Sequence, residues 1–185
     1  MKGLLFIIAS GTLFFMLGCA AKEVPPPQWT YERDAIQMHV TTDPKLNFED
    51  GDAHTLLLCT YQLSDPNTFN QLASEQDGIY KLLECNLFSA GAAVSKRTFL
   101  QPDQTIQLSL DRAEGARWVA VVAGYAVLNK DRISKMVEIP EVVEETGSFR
   151  KTRTRKPARL DIDLVMGPQE IVRMDATVMD SKKGE

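Results

Sequence analysis

The sequence predicts an all-β fold, a two-sheet β-sandwich of about seven or eight short strands with a short helical insert. Three observations carry this expectation. Runs of alternating apolar and polar residues recur between Ile36 and Met174, punctuated by Pro, Gly, Asp and Asn. The segment 117–128 is apolar almost throughout, and 54–63 is strongly apolar by content; both are rich in the residues buried strands carry. Only between Asp65 and Leu87 does the apolar spacing turn helical.

Before the first strand, Lys2 precedes an apolar run from Leu4 to Leu17, the charge-then-apolar plan of a secretory signal. The run closes on Met16-Leu17-Gly18-Cys19, which resembles the lipobox of bacterial lipoproteins, where the cysteine is acylated after cleavage before it. Cys19 is therefore the expected lipidation site. An uncleaved anchor helix is the competing reading, but the run falls short of the ~20 apolar residues a spanning helix needs. Residues 1–18 are then the signal peptide, and 19–35 form a proline-rich tether through Pro25, Pro26 and Pro27. Fully extended, the tether from Ala20 to Ala35 reaches ~50 Å. Trp29 and Tyr31 suit either a membrane interface or the surface of the domain itself.

Composition narrows the classes further. The chain has 185 residues and a formal charge of −4; losing residues 1–18 removes Lys2 and makes it more acidic. An acidic chain with one short basic run argues against nucleic acid as its main partner. Export places the domain in an oxidising compartment, where Cys59 and Cys85 can pair or remain two buried thiols. Lipid on Cys19 accounts for the odd cysteine count.

The β-sandwich domain is expected over 36–175. Ile36, Met38 and Val40 begin a half-buried strand that Asp43-Pro44 ends. The turn-rich stretch Asp43–Ala53 follows, carrying the apolar residues Leu46 and Phe48 in polar surroundings. Such residues either mark an interface or fold back as a satellite cluster. In the next strand Leu57, Cys59, Tyr61 and Leu63 share one face. Asp65 as cap and Pro66 at the first position then start a helix bearing Phe69, Leu72 and Ala73, and Ile79, Leu82 and Leu83 make a second short helical stretch. A Cys59–Cys85 bridge would tie this insert to the sheet.

Ala90 to Ala93 reads as a loop, Gln101 to Gln104 as a turn, and Thr105 to Leu110 as an alternating strand. The central strand over 117–128 holds Gly124, a sign of a bulge or close approach. Ile133–Ile139 adds another strand. Acidic residues from Glu138 to Glu145 and basic ones from Arg150 to Arg159 flank Gly147, placed to pair across a loop or hairpin. Leu160, Ile162 and Leu164 alternate, and Glu170–Met174 returns across Gly167-Pro168 as a last hairpin before a flexible tail over 176–185. His39 and His54 stand in no ligand or triad spacing, and no phosphate-cradling glycine loop occurs, so no enzyme, cofactor or metal site is expected.

The order of these features resembles the TssJ (VasD/Lip) outer-membrane lipoproteins of the type VI secretion system. The signal and Cys19 are followed by a strand, the Leu46-Asn47 loop and the strand ending Tyr61-Gln62-Leu63. Phe69, the Tyr80-Lys81-Leu82-Leu83 helix, the Leu100-Gln101-Pro102-Asp103 turn and the Val119–Tyr125 strand then follow in order. The resemblance implies a transthyretin-like sandwich hung from the outer membrane, facing the periplasm. It also implies that the loop between the first two strands binds the periplasmic C-terminal region of the inner-membrane protein TssM. Here that loop is Asp43–Ala53, with Leu46, Asn47, Phe48, Glu49 and Asp50 as expected contacts. No small-molecule substrate is expected. The alternative is a lipid-anchored binding module or sensor for a small periplasmic ligand.

Overall fold

The computed structural model describes residues 24–147 and 151–179. Ten strands and two helices follow in the order β1 (Glu32–Thr42), β2 (Leu56–Leu63), α1 (Asn67–Ser74), α2 (Gln76–Leu83), β3 (Ala92–Leu100), β4 (Thr105–Arg112), β5 (Trp118–Ala123), β6 (Ser134–Glu138), β7 (Glu141–Thr146), β8 (Thr152–Pro157), β9 (Leu160–Met166) and β10 (Ile171–Val178). Two four-stranded sheets, ordered β10-β9-β1-β4 and β3-β2-β5-β6, form the sandwich, while β7 and β8 form a separate ribbon. The expected sandwich and helical insert are therefore present.

The strand boundaries differ from expectation where side-chain pattern alone is a poor guide. β1 starts at Glu32, ahead of Ile36, because the polar residues Glu32 to Asp34 continue it through a register shift centred on Asp34, whose φ is 51°. β3 starts at Ala92, so the small residues expected in a loop already pair with β2. β10 continues past Asp175 to Val178, which pairs with Leu160. The strand expected over 117–128 ends at Ala123, and at Gly124 an added Cβ would meet the Leu57 Cβ at 3.4 Å, a close approach. The charged residues flanking Gly147 pair as the β7–β8 ribbon, joined by Glu145–Arg153 at 2.7 Å and by Glu144–Lys156. Such exposed pairs add little stability each.

The two sheets meet through residues that alternate along each strand. Ile36, Met38 and Val40 of β1 face inward beside Leu160, Ile162 and Leu164 of β9, and all are buried. β1 keeps polar residues on its outer face, which explains its alternation. By contrast, β2 and β5 are covered on both faces. Gln62 reaches the opposite sheet, donating to the Asp111 carbonyl at 2.7 Å and accepting from the Ala113 N–H at 2.8 Å. On the other face Tyr61 donates to the Leu82 carbonyl and packs edge-on against Phe88, with ring centroids 5.2 Å apart.

The helical insert thus roofs the outer face of the second sheet. α1 opens one residue later than the sequence implies: Pro66 stands at the N-cap, not the first helical position, and Asp65 lies outside the helix, accepting from the Asn67 N–H at 2.8 Å in the preceding turn. Gly78 lies so close to Leu72 that a Cβ there would sit 2.6 Å from the Leu72 Cα. Cys59 and Cys85 are joined, with Cα atoms 5.2 Å apart and a sequence separation of 26, fastening β2 to the end of α2.

Two outcomes follow from this roof. Replacing both cysteines by serine should cost about 3 kcal/mol in denaturant unfolding, with the folded state retained. Burial, with Glu84 nearby, pushes the Tyr61 hydroxyl up to about 12, so it folds as the neutral phenol. Its contribution is fully present below the ordinary tyrosine value of about 10 and is lost as pH rises toward 12. Unfolding midpoints across that window should fall more steeply for the wild type than for Tyr61→Phe.

Candidate partner-binding loop

The loop between β1 and β2 is held as a small folded unit. Thr42 ends β1 with its N–H on the Gln104 carbonyl at 2.9 Å and its hydroxyl on the Gln101 carbonyl at 2.7 Å. Asp43 then turns the chain: its carbonyl accepts from the Leu46 N–H at 2.9 Å, and its carboxylate from the Lys45 N–H at 2.7 Å. Further out, the Glu49 and Asp52 backbones exchange two bonds of 3.0 Å. Asp50 and Gly51 between them have φ of 53° and 96°, the two positive angles of a type I′ turn.

Asn47 ties this unit to the sandwich. It is buried, with φ 50°, a conformation asparagine tolerates better than most side chains. Its Nδ2 donates to the Thr55 carbonyl at 3.1 Å and its Oδ1 accepts from the Ala126 N–H at 2.8 Å. Leu46 beside it is fully buried within the core cluster. The expectation that Leu46 and Asn47 offer their side chains to a partner is therefore corrected: both face inward and position the loop. An apolar residue next to a residue able to adopt positive φ signalled this, but a polar neighbourhood masked it.

The other three expected contacts lie outward. Phe48 is half-buried, with its N–H on the Pro168 carbonyl at 2.9 Å, its carbonyl accepting from Gln169, and the Lys45 ammonium 5.5 Å from its ring centroid. Glu49 and Asp50 are exposed. Asp52, which the sequence reading left out, is exposed beside them, so the tip carries three carboxylates next to one aromatic ring. His54 is also exposed, and its ring lies 3.3 Å from the Glu49 carbonyl.

This loop and the start of the domain lie at opposite ends of β1. At the far end the Trp29 ring packs under Arg117, with the guanidinium 5.2 Å from the centroid, and its carbonyl accepts from the Gly115 N–H at 2.7 Å. Arg112, only 2% exposed, bonds the Thr30 and Ala158 carbonyls and pairs with Glu32 at 2.9 Å. Tyr31 donates to Asp111 and, with the Asp34 N–H, holds that carboxyl below its usual range. Docking on the domain is thus the observed role of Trp29. Cys19 and the signal residues 1–18 lie outside the described residues.

A second feature is a half-open cleft of about 270 Å³ at one edge of the sandwich, lined by Thr60, Val94, Lys96 and Leu110 among others. His39 and Asp161 touch at 3.0 Å on the exposed face of the first sheet. Among the described residues, no cluster of three or more His, Cys, Asp or Glu side chains could hold a metal ion, and no helix is long and apolar enough to cross a membrane.

Removing the Asn47 amide orphans the Ala126 N–H and strains the backbone. Asn47→Ala should lower stability by about 2 kcal/mol and raise amide exchange across Asp43–Ala53.

The structure of the type VI secretion lipoprotein TssJ1 from Pseudomonas aeruginosa superposes with a TM-score of 0.57 and 17% identity, covering 84% of this chain and 99% of that one. Lip of Serratia marcescens, a membrane-bound component of the type VI secretion system, gives 0.54 and 15%, covering 77% and 96%. A chain from a structure described as a type VI membrane complex gives 0.51 and 14%, covering 83% and 100%. At these identities the likeness shows the fold. None of the curated proteins compared with the chain matches it significantly. Residues 34–164, from the register shift of β1 to the inward face of β9, match the model of the type VI secretion lipoproteins VasD, EvfM and TssJ, and the chain belongs to that family.

Proposed function

We propose that this protein is an outer-membrane-anchored scaffold lipoprotein of the type VI secretion membrane complex. In this reading acylated Cys19 fixes it to the outer membrane, and the domain faces the periplasm. Its grip is the Asp43–Ala53 loop, which binds the periplasmic C-terminal region of a TssM-like inner-membrane protein. The carrying observation is the braced loop at the end of β1 remote from the tether. A partner surface fitted to it would be basic, with a recess for an aromatic ring. Phe48 is the apolar anchor, and Glu49, Asp50 and Asp52 are the charged rim. A fold likeness at a TM-score of 0.50 to a chain described as a TssM C-terminal domain is consistent with a shared assembly, though at 13% identity it speaks for fold alone.

The small-ligand alternative predicts an enclosed cavity between the sheets. The cleft of about 270 Å³ is instead half-open and lies at the sandwich edge.

The test is capture of the TssM-like periplasmic region by residues 20–185. Wild type should bind. The pair Glu49→Lys and Asp50→Lys, both exposed and off the core, should keep the fold and weaken capture by at least about tenfold. Undiminished capture would contradict the loop as grip. In cells, Cys19→Ser should give a folded protein that binds its partner and fails to support secretion; normal secretion would sink the anchoring role.

A further inference from the structure

The two open edges of the sandwich are not alike. At one, β6 and β10 pack together. There the Ile171 N–H bonds the Arg132 carbonyl at 2.9 Å, Arg132 pairs with Glu170 at 3.3 Å, and Tyr125 donates to the Glu170 carbonyl at 2.6 Å. At the other, β3 and β4 belong to different sheets, and the turn over 101–104 joins them. No comparable packing closes that edge, and the cleft of about 270 Å³ opens there, beside Tyr31.

The cleft has a definite chemistry. Register with β2 puts Val94, Lys96 and Thr98 of β3 opposite Gln62, Thr60 and Leu58, all on the face turned toward the other sheet. The walls are largely apolar, from Val94, Leu110 and Ala113. Inside them the Thr60 hydroxyl is unpartnered in a residue only 3% exposed. A buried hydroxyl left without a hydrogen bond is costly, so Thr60 calls for an acceptor or donor from outside. Lys96, directly opposite Thr60, is exposed and makes no ion pair among the described residues. The nearby Asp111 carboxylate is engaged by the Tyr31 hydroxyl and the Asp34 N–H.

We infer that this edge takes an extended peptide strand from a protein partner, paired with β3, with an acidic side chain seated between Lys96 and Thr60 and apolar side chains on either side of it. Every second residue of β3 presents its N–H and C=O to the open edge, the template on which an added strand pairs. Alternation in the added strand sends one side chain in two into the cleft. The volume exceeds the ~150 Å³ of an apolar cavity that holds benzene, which suits branched side chains. A single carboxylate can meet both the ammonium and the hydroxyl, and a cationic side chain would be repelled by Lys96. This surface is separate from the Asp43–Ala53 loop and does not depend on what that loop binds.

The probe is the palindromic peptide acetyl-Thr-Val-Thr-Glu-Thr-Val-Thr-amide, added at millimolar concentration to the purified protein and followed by amide exchange and NMR shifts. Protection of alternate β3 amides is expected, with shifts confined to β3, β4 and Thr60. Lys96→Glu, at an exposed position that leaves the fold intact, should weaken the peptide by about tenfold, and the peptide with Lys in place of Glu should recover that loss on the variant alone. Three results would overturn the inference: no binding, protection elsewhere with β3 unchanged, or a charge exchange that fails to rescue. Displacement of the peptide by decanoate, with decanoate binding the tighter, would also overturn it, by assigning the cleft to an aliphatic anion.

Discussion

β1 is the constraint from which the rest of the architecture follows. It is bonded on both sides, antiparallel to β4 and parallel to β9, so it cannot slide without breaking two ladders. Its first residues are locked by the Arg112 guanidinium, which gathers Thr30, Glu32 and the Ala158 carbonyl at one end of the sandwich. Its last is locked by Thr42 on the turn between β3 and β4. A strand of this length spans roughly 35 Å. The tether side and the Asp43–Ala53 loop are therefore held apart by a rigid rod, and neither can approach the other.

That separation gives the proposed function its mechanical sense. A lipid anchor restrains only one point, and a flexible domain would let the load dissipate. On the proposed function, load would pass from the tether through Trp29 and Arg112 into β1, and out through Asn47 and Leu46 to the loop tip. Each junction on that path is buried or hydrogen-bonded. The type I′ turn at Asp50-Gly51 then offers carboxylates and one aromatic ring with little conformational entropy left to lose on binding. The cleft at the β3–β4 edge lies off this path, which suits a second and independent contact.

Much of this was legible in the sequence because the physical signals were strong and local. The alternation of Ile36, Met38 and Val40 reported a one-sided strand, and the apolar first half of β2 reported cover on both faces there, which Thr60 and Gln62, both buried, extend to the second half. Asp65-Pro66 marked the start of a helix to within one residue for stereochemical reasons that need no tertiary context. Other features were set by tertiary partners and could not be read locally. Arg112 looks like a surface residue until carbonyls and Glu32 converge on it. Leu46 and Asn47 look like loop residues in a polar stretch, yet the first fills the core and the second exists to bond Thr55 and Ala126. Asp52 was passed over because nothing in its immediate neighbours marks it as sharing a tip with Glu49. The β7–β8 ribbon was foreshadowed only by opposite charges around Gly147, since strands with no buried face lack an apolar period.

Which end of β1 meets the partner is measured directly by site-specific photocrosslinking in cells. A benzophenone side chain placed at Phe48 should yield a covalent adduct with the TssM-like protein, while the same probe at Val143 on the β7–β8 ribbon, 55% exposed and at the tether end, should not. Adducts from Val143 with none from Phe48 would contradict the account.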